Sequence, residues 1–335
     1  MENRRIVLAS RPKGEPSAEN FRLERVPAPE PGDGELLLRT RWLSLDPYMR
    51  GRMNDARSYA QPVGVGETMV GGTVCEVVES KAPGFAPGDL VSAYCGWQDY
   101  ATAPAGAVSK LPAGLDPPCY ALGVLGMPGF TAYHGLLEIG APKAGETVVV
   151  AAATGGVGAV VGQVAKIKGC RAVGIAGGPE KCRLAVETLG FDVCIDHKAA
   201  DFPAQLAAAC PKGIDVYFEN VGGRVLEAVM PLLNDFARVP VCGLISVYNS
   251  TNMAGGPAIG QLMGLILTRR IKVQGFIISD AFAGIGAFQR DMAGWVASGQ
   301  VRYLEHRVKG LENAPAALMG LLKGENQGKV VVEVA

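Results

Sequence analysis

The run Glu146-Thr-Val-Val-Val-Ala-Ala-Ala-Thr-Gly-Gly-Val-Gly158, continuing into Ala159-Val-Val-Gly-Gln-Val-Ala-Lys166, constrains the fold more than any other part of the chain. It reads as a strand, a tight glycine turn and a helix start. The strand is apolar on both faces, as a parallel strand covered by helices must be. Gly155, Gly156 and Gly158, with Val157 among them, let the backbone turn sharply and approach a bound group without Cβ clashes. Such a turn lays a dinucleotide pyrophosphate on the amino end of a helix. The spacing is A-x-x-G-x-x-G from Ala152 rather than G-x-G-x-x-G, so a glycine-rich helix cap without a ligand shares the pattern.

The next segment favours the first reading. A second strand, Arg171-Ala-Val-Gly-Ile-Ala176, follows the helix at the spacing of a βαβ unit. In NAD-binding domains an Asp or Glu about 20 residues beyond the glycine turn bonds the ribose 2′-hydroxyl. Here Gly177 and Gly178 hold that position, with Lys181 and Arg183 just beyond. A missing carboxylate with cations nearby suits a 2′-phosphate, which an acid would repel and cations would pair with. Glu180 is close, but at a helix start where the dipole holds it. Lys181 and Arg183 also fit a solvated helix face, so the absent carboxylate is the better sign, and NADP is favoured over NAD.

The chain of 335 residues is long enough for two domains. Lys plus Arg and Asp plus Glu are both 32, so no basic footprint invites nucleic acid or an anionic membrane surface. The longest apolar run is broken by Thr154 and glycines, too interrupted to span a bilayer. The first ten residues lack a signal-peptide core, and the expected location is cytoplasmic. None of the eight cysteines forms a C-x-x-C pair, so free and mostly buried thiols are expected. His134, His197 and His306 lack metal-ligand spacing, and no metal site is expected.

Residues 1–124 carry short apolar runs punctuated by Pro and Gly, the pattern of a β-rich, loop-heavy domain. Residues 125–299 alternate helices and strands, with strands expected at 147–151, 171–176, 193–195, 214–219, 238–244 and 271–277. Six strands separated by helices make a doubly wound parallel sheet. Residues 300–335 end in Lys329-Val-Val-Val-Glu-Val334, a strand expected to return to the first domain.

Several segments carry a family resemblance. Leu45-Asp-Pro-Tyr-Met-Arg50, Leu125-Gly-Met-Pro-Gly-Phe-Thr-Ala-Tyr133, the glycine turn, Phe218-Glu-Asn-Val-Gly-Gly223, Cys242-Gly-Leu-Ile-Ser-Val-Tyr-Asn249 and Leu322-Lys-Gly-Glu-Asn-Gln-Gly-Lys329 resemble the zinc-free medium-chain reductases. Within them the match is to the leukotriene B4 dehydrogenase/prostaglandin reductase group, over nearly the whole chain and in unbroken order. The resemblance implies a GroES-like β-rich domain, a Rossmann domain and a homodimer. It also implies NADPH-dependent reduction of the C=C bond of α,β-unsaturated ketones and aldehydes, either bulky, curcumin-like enones or smaller ones. A quinone reductase or a non-catalytic NADPH-binding sensor on the same fold are the alternatives.

Reducing an enone develops negative charge on its carbonyl oxygen, so the site needs a donor aimed there. Tyr248 is the first candidate and Tyr48 the second, since a phenol donates one hydrogen bond and its ring tolerates a dry pocket. For each, the alternative is a core tyrosine whose hydroxyl bonds the backbone. By the resemblance, Lys181 meets the 2′-phosphate, and Asn220, Cys242, Gly243, Phe276, Ile277 and Asn326 fall where related reductases hold ribose and nicotinamide. One departure counts, at His197, and one difference from zinc-binding relatives, at Gly71-Gly72-Thr73, agrees with the metal-free reading. Relatives often place Tyr beside the adenosine phosphate where this chain has His197, which either pairs with the phosphate when protonated or stands idle on the surface. Zinc-binding relatives carry Gly-His-Glu near the position of Gly71-Gly72-Thr73. Substrate choice is expected from the polar loops 53–62 and 248–257, with Tyr48, Tyr59, Met53 and Met253 lining a slot.

Overall fold

The computed structural model describes residues 1–250 and 258–335. Most of the expected lid 248–257, with Met253, therefore lies outside the described residues. The chain begins with β1 (Glu2–Leu8), β2 (Phe21–Pro27), β3 (Glu35–Ser44), α1 (Tyr48–Arg52), β4 (Thr73–Ser80), β5 (Leu90–Ala93), β6 (Tyr100–Pro104) and β7 (Ser109–Lys110). Alternation then sets in with α2 (Met127–His134), β8 (Thr147–Ala151), α3 (Gly158–Ile167), β9 (Arg171–Ala176), α4 (Pro179–Glu187) and β10 (Val193–Asp196). It continues through α5 (Phe202–Ala209), β11 (Ile214–Phe218), α6 (Gly223–Val229), β12 (Leu233–Val241), α7 (Ala258–Arg269), β13 (Lys272–Gly275) and α8 (Ile285–Ala297). The chain closes with β14 (Glu305–Lys309), α9 (Ala314–Leu322) and β15 (Lys329–Glu333). Two compact units result, Met1–Gly126 with Glu305–Ala335, and Met127–Leu304. Residues 300–304 belong to the second because Gln163 ties them there, its amide donating to the Arg302 carbonyl at 2.8 Å and accepting the Arg302 N–H at 2.7 Å.

The first unit holds the β1–β2 hairpin and a seven-stranded sheet in the order β14-β15-β3-β4-β5-β7, with β6 also paired to β3. The return strand β15 runs antiparallel to β3, pairing Val331 with Ser44 and Val332 with Leu43. Its Val-Val-Val run is buried on both faces. Val330 and Val332 join Ile6, Leu8, Leu43 and Met49, while Val331 joins Val74, Cys119 and Leu122 on the opposite side.

The second unit is built on a six-stranded parallel sheet ordered β10-β9-β8-β11-β12-β13. In order of appearance that is 3-2-1-4-5-6, so the winding reverses between β8 and β11. The carboxyl ends of strands at such a reversal are where open α/β sheets take ligands. Every residue of β8 is buried. Val149 and Ala151 join Val173, Ile175, Tyr217 and Val239 in a core with Phe202 and Leu206 of α5 and Val225 and Val229 of α6. Helix α3 lies against β8 and β9. Gly162 permits its close approach, since a Cβ there would stand 2.0 Å from the Phe191 ring.

Two strands differ from the sequence expectation. β12 starts at Leu233 rather than 238, through an irregular stretch where Phe236 has φ 61° and the register to β11 shifts. It also stops at Val241, because the Cys242 and Gly243 amides both turn to the Glu219 carbonyl, at 2.9 and 3.2 Å. β13 is only Lys272–Gly275, at the edge of the sheet. All eight cysteines are free thiols, five of them buried and Cys182, Cys194 and Cys242 partly so. Among the described residues no helix is long and apolar enough to cross a membrane.

Candidate active site

At the end of β8, Ala152 takes a left-handed conformation, φ 55°, that L side chains rarely adopt. Strain of this kind costs about 1–3 kcal/mol and persists where the surroundings over-determine it. Here the Ala152 carbonyl accepts the Gly155 N–H at 2.9 Å, closing the turn. The same oxygen lies 2.2 Å from where a Cβ on Gly158 would stand, so only glycine fits. Val157 is the N-cap of α3, and in its first turn the Ala159 amide bonds back to the Gly155 carbonyl and the Val160 amide to the Val157 carbonyl, both at 3.0 Å. Gly155, Gly156, Val157 and Gly158 thus form a cradle at the positive end of a helix dipole, on the strand at the sheet's reversal.

At the end of β9, Gly177 leaves room that side chains from elsewhere occupy. A Cβ on Gly177 would lie 3.0 Å from His197 Nε2 and 3.3 Å from Lys198 Cε. Asp196 is the nearby carboxylate, and its Oδ1 accepts the amides of Gly178 at 2.8 Å and Lys198 at 2.9 Å. Partial burial raises the Asp196 pKa, but those amides and the charges of His197 and Lys198 outweigh it and hold it below the usual range. Lys181 is half-buried on α4, its pKa lowered by burial and by the neighbouring Lys198. Burial likewise lowers the His197 pKa; Asp196 opposes this, while Lys198, Arg224 and Lys181 add to it. Sequence reasoning singled out Lys181 and His197 but missed Lys198 and Arg224, whose sequence positions give no sign that they join one cluster. A cluster with this much positive charge and an occupied carboxylate suits a phosphate monoester better than a ribose diol.

That cluster makes a pH prediction. With its pKa lowered, His197 is mainly neutral at pH 7, and a bound 2′-phosphate would favour the imidazolium. Binding then takes up a proton, so His197 strengthens NADPH affinity as the pH falls from about 7.5 to 6. Titrating NADPH across that range in wild type and His197→Phe should give a steeper acid-side gain for wild type. Equal slopes would remove His197 from the site.

At the ends of β11 and β12, Glu219 organises the backbone. Its Oε1 accepts the Tyr217 hydroxyl at 3.0 Å and the amides of Val221 and Gly222 at 2.6 and 2.9 Å. Oε2 is buried without a hydrogen-bond partner, and burial raises the carboxyl's pKa despite those donors. Glu219 escaped the sequence reading, although a carboxylate closing an apolar strand is a visible signal. Asn220 Nδ2 donates to the Ala151 carbonyl at 2.9 Å, joining the ends of β11 and β8. The Cys242 thiol is pushed up to about 12 by burial and by Glu219. Since the thiolate is the reactive form, this shift favours the less reactive thiol form of Cys242. The Tyr248 hydroxyl oxygen accepts the Leu244 N–H at 3.3 Å, the backbone bond named above as the alternative to a catalytic role. This uses an acceptor lone pair and leaves the phenol proton available to donate. Burial raises the Tyr248 pKa, which keeps that proton in place. Phe276 packs its ring against Phe218 and His134, at centroid distances of 6.3 and 5.8 Å. Ile277 caps the following 3-10 turn with extended backbone.

Tyr48 and Asn326 belong to the first unit. The start of α1 is pinned by Lys329, whose ammonium donates to the Leu45 carbonyl at 2.6 Å and to Asp46 Oδ1 at 2.9 Å. Tyr48 lies two residues on, its hydroxyl 3.1 Å from that of Tyr94. Asn326 Nδ2 donates to the Gly328 carbonyl at 2.6 Å, just before Lys329. The cofactor residues of the second unit gather at strand carboxyl ends, and these two gather around β15.

Comparison with known proteins is consistent along the chain. Residues 4–111 match the family model described as N-terminal domain of oxidoreductase, and residues 156–297 the one described as Zinc-binding dehydrogenase. No group of three or more His, Cys, Asp or Glu placed to hold a metal ion occurs among the described residues. The chain is 59% identical over 335 residues to NADPH-dependent curcumin reductase of Escherichia coli (strain K12), covering 99% of this chain and 97% of that protein. It is 41% identical over 327 residues to prostaglandin reductase 1 of Rattus norvegicus, covering 96% of each. The crystal structure of CurA from Vibrio vulnificus in complex with NADPH superposes with a TM-score of 0.96 at 60% identity, covering 99% of both chains.

Proposed function

The chain belongs to the zinc-free medium-chain reductases, in the leukotriene B4 dehydrogenase/prostaglandin reductase group, and from that premise we propose that it reduces the C=C bond of α,β-unsaturated ketones and aldehydes with NADPH. The observation that carries the cofactor is the glycine cradle at the sheet's reversal beside an end of β9 that bears cations and whose Asp196 carboxylate accepts two backbone amides. Gly155, Gly156, Val157 and Gly158 hold the pyrophosphate. Lys181, His197 and Lys198 hold the 2′-phosphate. Asn220, Cys242, Gly243, Phe276, Ile277 and Asn326 take the ribose and nicotinamide.

When bound, NADPH supplies the hydride that goes to the β-carbon of the enone. The chain's own task is to hold the substrate and donate to the oxygen on which charge develops. Tyr248 is the first donor and Tyr48 the second. Cys242, kept as a neutral thiol, resists alkylation by the electrophilic substrates that the enzyme handles. The free cysteines suit a reducing compartment, and the cytoplasm is the location in this reading.

The active form in this reading is a homodimer. Helix α7 exposes Ile259, Met263 and Leu267, one apolar stripe at four-residue spacing, and the edge strand β13 exposes Val273. An uncovered edge strand beside an apolar helix face invites a second copy. Light scattering should give the mass of two chains, shifting toward one in Met263→Glu/Leu267→Glu; a wild-type monomer would sink the assignment.

The activity test is NADPH oxidation by purified, chelator-treated protein against a simple enone, an alkenal, curcumin and a quinone, with NADH in parallel. Turnover on the enones exceeding that on the quinone, with NADPH preferred, supports the reading. Quinone turnover in excess points to a quinone reductase, and NADPH binding without turnover on any acceptor to a sensor.

A further inference from the structure

The Tyr48 hydroxyl stands 3.1 Å from that of Tyr94, the residue that follows β5, across a sequence separation of 46. Tyr94 is 54% exposed, whereas Tyr48 is partly buried at the head of an anchored helix. One phenol is thus mostly exposed and the other partly buried, with a hydrogen bond between them.

Each phenol has one proton to donate and lone pairs with which to accept. If Tyr48 gives its proton to a substrate oxygen, the bond between the tyrosines has only one direction left, with Tyr94 donating to Tyr48. We infer that Tyr94 is a positioning and proton-relay residue for the reduction, fixing the direction of the Tyr48 hydroxyl and replenishing its proton from solvent. This rests on the assignment of Tyr48 as a donor in the proposed function.

The step balances. One hydride reaches the β-carbon from NADPH, and the Tyr48 proton moves to the carbonyl oxygen. The Tyr94 proton moves to the Tyr48 oxygen, and a water proton restores Tyr94. Tautomerisation of the enol then places one hydrogen on the α-carbon, so the C=C bond gains one hydride and one proton in all. A donor hydrogen bond into Tyr48 also polarises its O–H, strengthening the bond to the developing enolate. Burial, followed by the charge of Asp46 and by Tyr94, opposes ionisation of Tyr48 strongly. A proton passed from Tyr94 across the 3.1 Å contact as the first leaves keeps Tyr48 neutral.

The test is single-turnover NADPH oxidation with a simple enone in wild type, Tyr94→Phe, Tyr48→Phe and the double variant, with a proton inventory in mixed H2O and D2O. Tyr94→Phe should slow the step roughly tenfold with little change in KM. In the Tyr48→Phe background it should cost almost nothing more, because the relay has lost its recipient. The inventory should be curved in wild type, with two protons in flight, and linear in Tyr94→Phe. A ring that only buttressed Tyr48 would leave the inventory curved, which overturns the relay. Equal losses in both backgrounds also overturn it, showing that Tyr94 acts independently of Tyr48. A harmful Tyr48→Phe with a silent Tyr94→Phe overturns the relay alone. A silent Tyr48→Phe overturns the assignment of Tyr48 as a donor, and the relay with it.

Discussion

Gly158→Ala should weaken NADPH binding by roughly 10- to 100-fold, at about 1.4 kcal/mol per tenfold, and destabilise the protein by about 1–3 kcal/mol. The added Cβ would stand 2.2 Å from the Ala152 carbonyl oxygen, 2.8 Å from its carbon and 3.1 Å from Ala153 Cα. All three are backbone atoms, so no rotamer change relieves the clash. The start of α3 must move away from β8, carrying with it the amides that form the cradle. Ala152 is already held at a positive φ, and the turn has little freedom left to absorb the shift. Gly294 on α8 provides the contrast, since a Cβ there meets nothing within 4 Å. Gly294→Ala should leave NADPH affinity unchanged and raise stability by roughly 0.5–1 kcal/mol. Fluorescence titration with NADPH and thermal unfolding of both variants would check this. Unchanged affinity in Gly158→Ala would mean that the turn is a helix cap and not a cofactor cradle.

The second large effect is expected at Lys329. Its ammonium and the Asp46 carboxylate are 2.9 Å apart, with side chains only 3% and 9% exposed. Burial lowers the Lys329 pKa, and Asp46 opposes that shift. Lys329→Met removes the cation and leaves a buried carboxylate that still accepts from Ser44. Breaking a buried pair in this way costs about 3–5 kcal/mol, because the desolvation cost of the surviving charge is no longer offset. Replacing both partners, as in Lys329→Met/Asp46→Leu, should recover much of the loss, since apolar pairs often substitute for buried ion pairs. Because Lys329 also donates to the Leu45 carbonyl, the single variant should loosen α1 and lower turnover more than Tm alone explains. Urea unfolding of the three proteins decides the point, and a loss under about 1 kcal/mol in Lys329→Met would mean that the pair is solvated in solution.

These two sites differ in how they could be read from sequence. The glycine turn and the two strands around it were legible because parallel strands and phosphate turns leave local signatures: unbroken Val runs and glycines at fixed spacing. The return strand at Lys329–Glu333 was legible for the same reason. The first half of β12 was not, since Phe236 adopts a left-handed conformation that strands rarely contain. Lys198 and Arg224 were missed because their roles depend on which strand ends the topology places side by side. Tyr94 was hidden for a similar reason, since its partner is far away in sequence and neither residue alone announces the contact. Tyr248 shows the limit of motif matching. Its hydroxyl does bond the backbone, and only its remaining proton keeps it a donor.

The most direct test of the proposed chemistry follows the hydrogen itself. NADPH deuterated at nicotinamide C4 would be turned over with a simple enone and the product analysed by mass spectrometry and NMR. The expected product is a saturated ketone with deuterium on the β-carbon, a solvent-derived hydrogen on the α-carbon and the carbonyl intact. Deuterium on the carbonyl carbon of an allylic alcohol would contradict it, as would oxidation of NADPH with no label in the product.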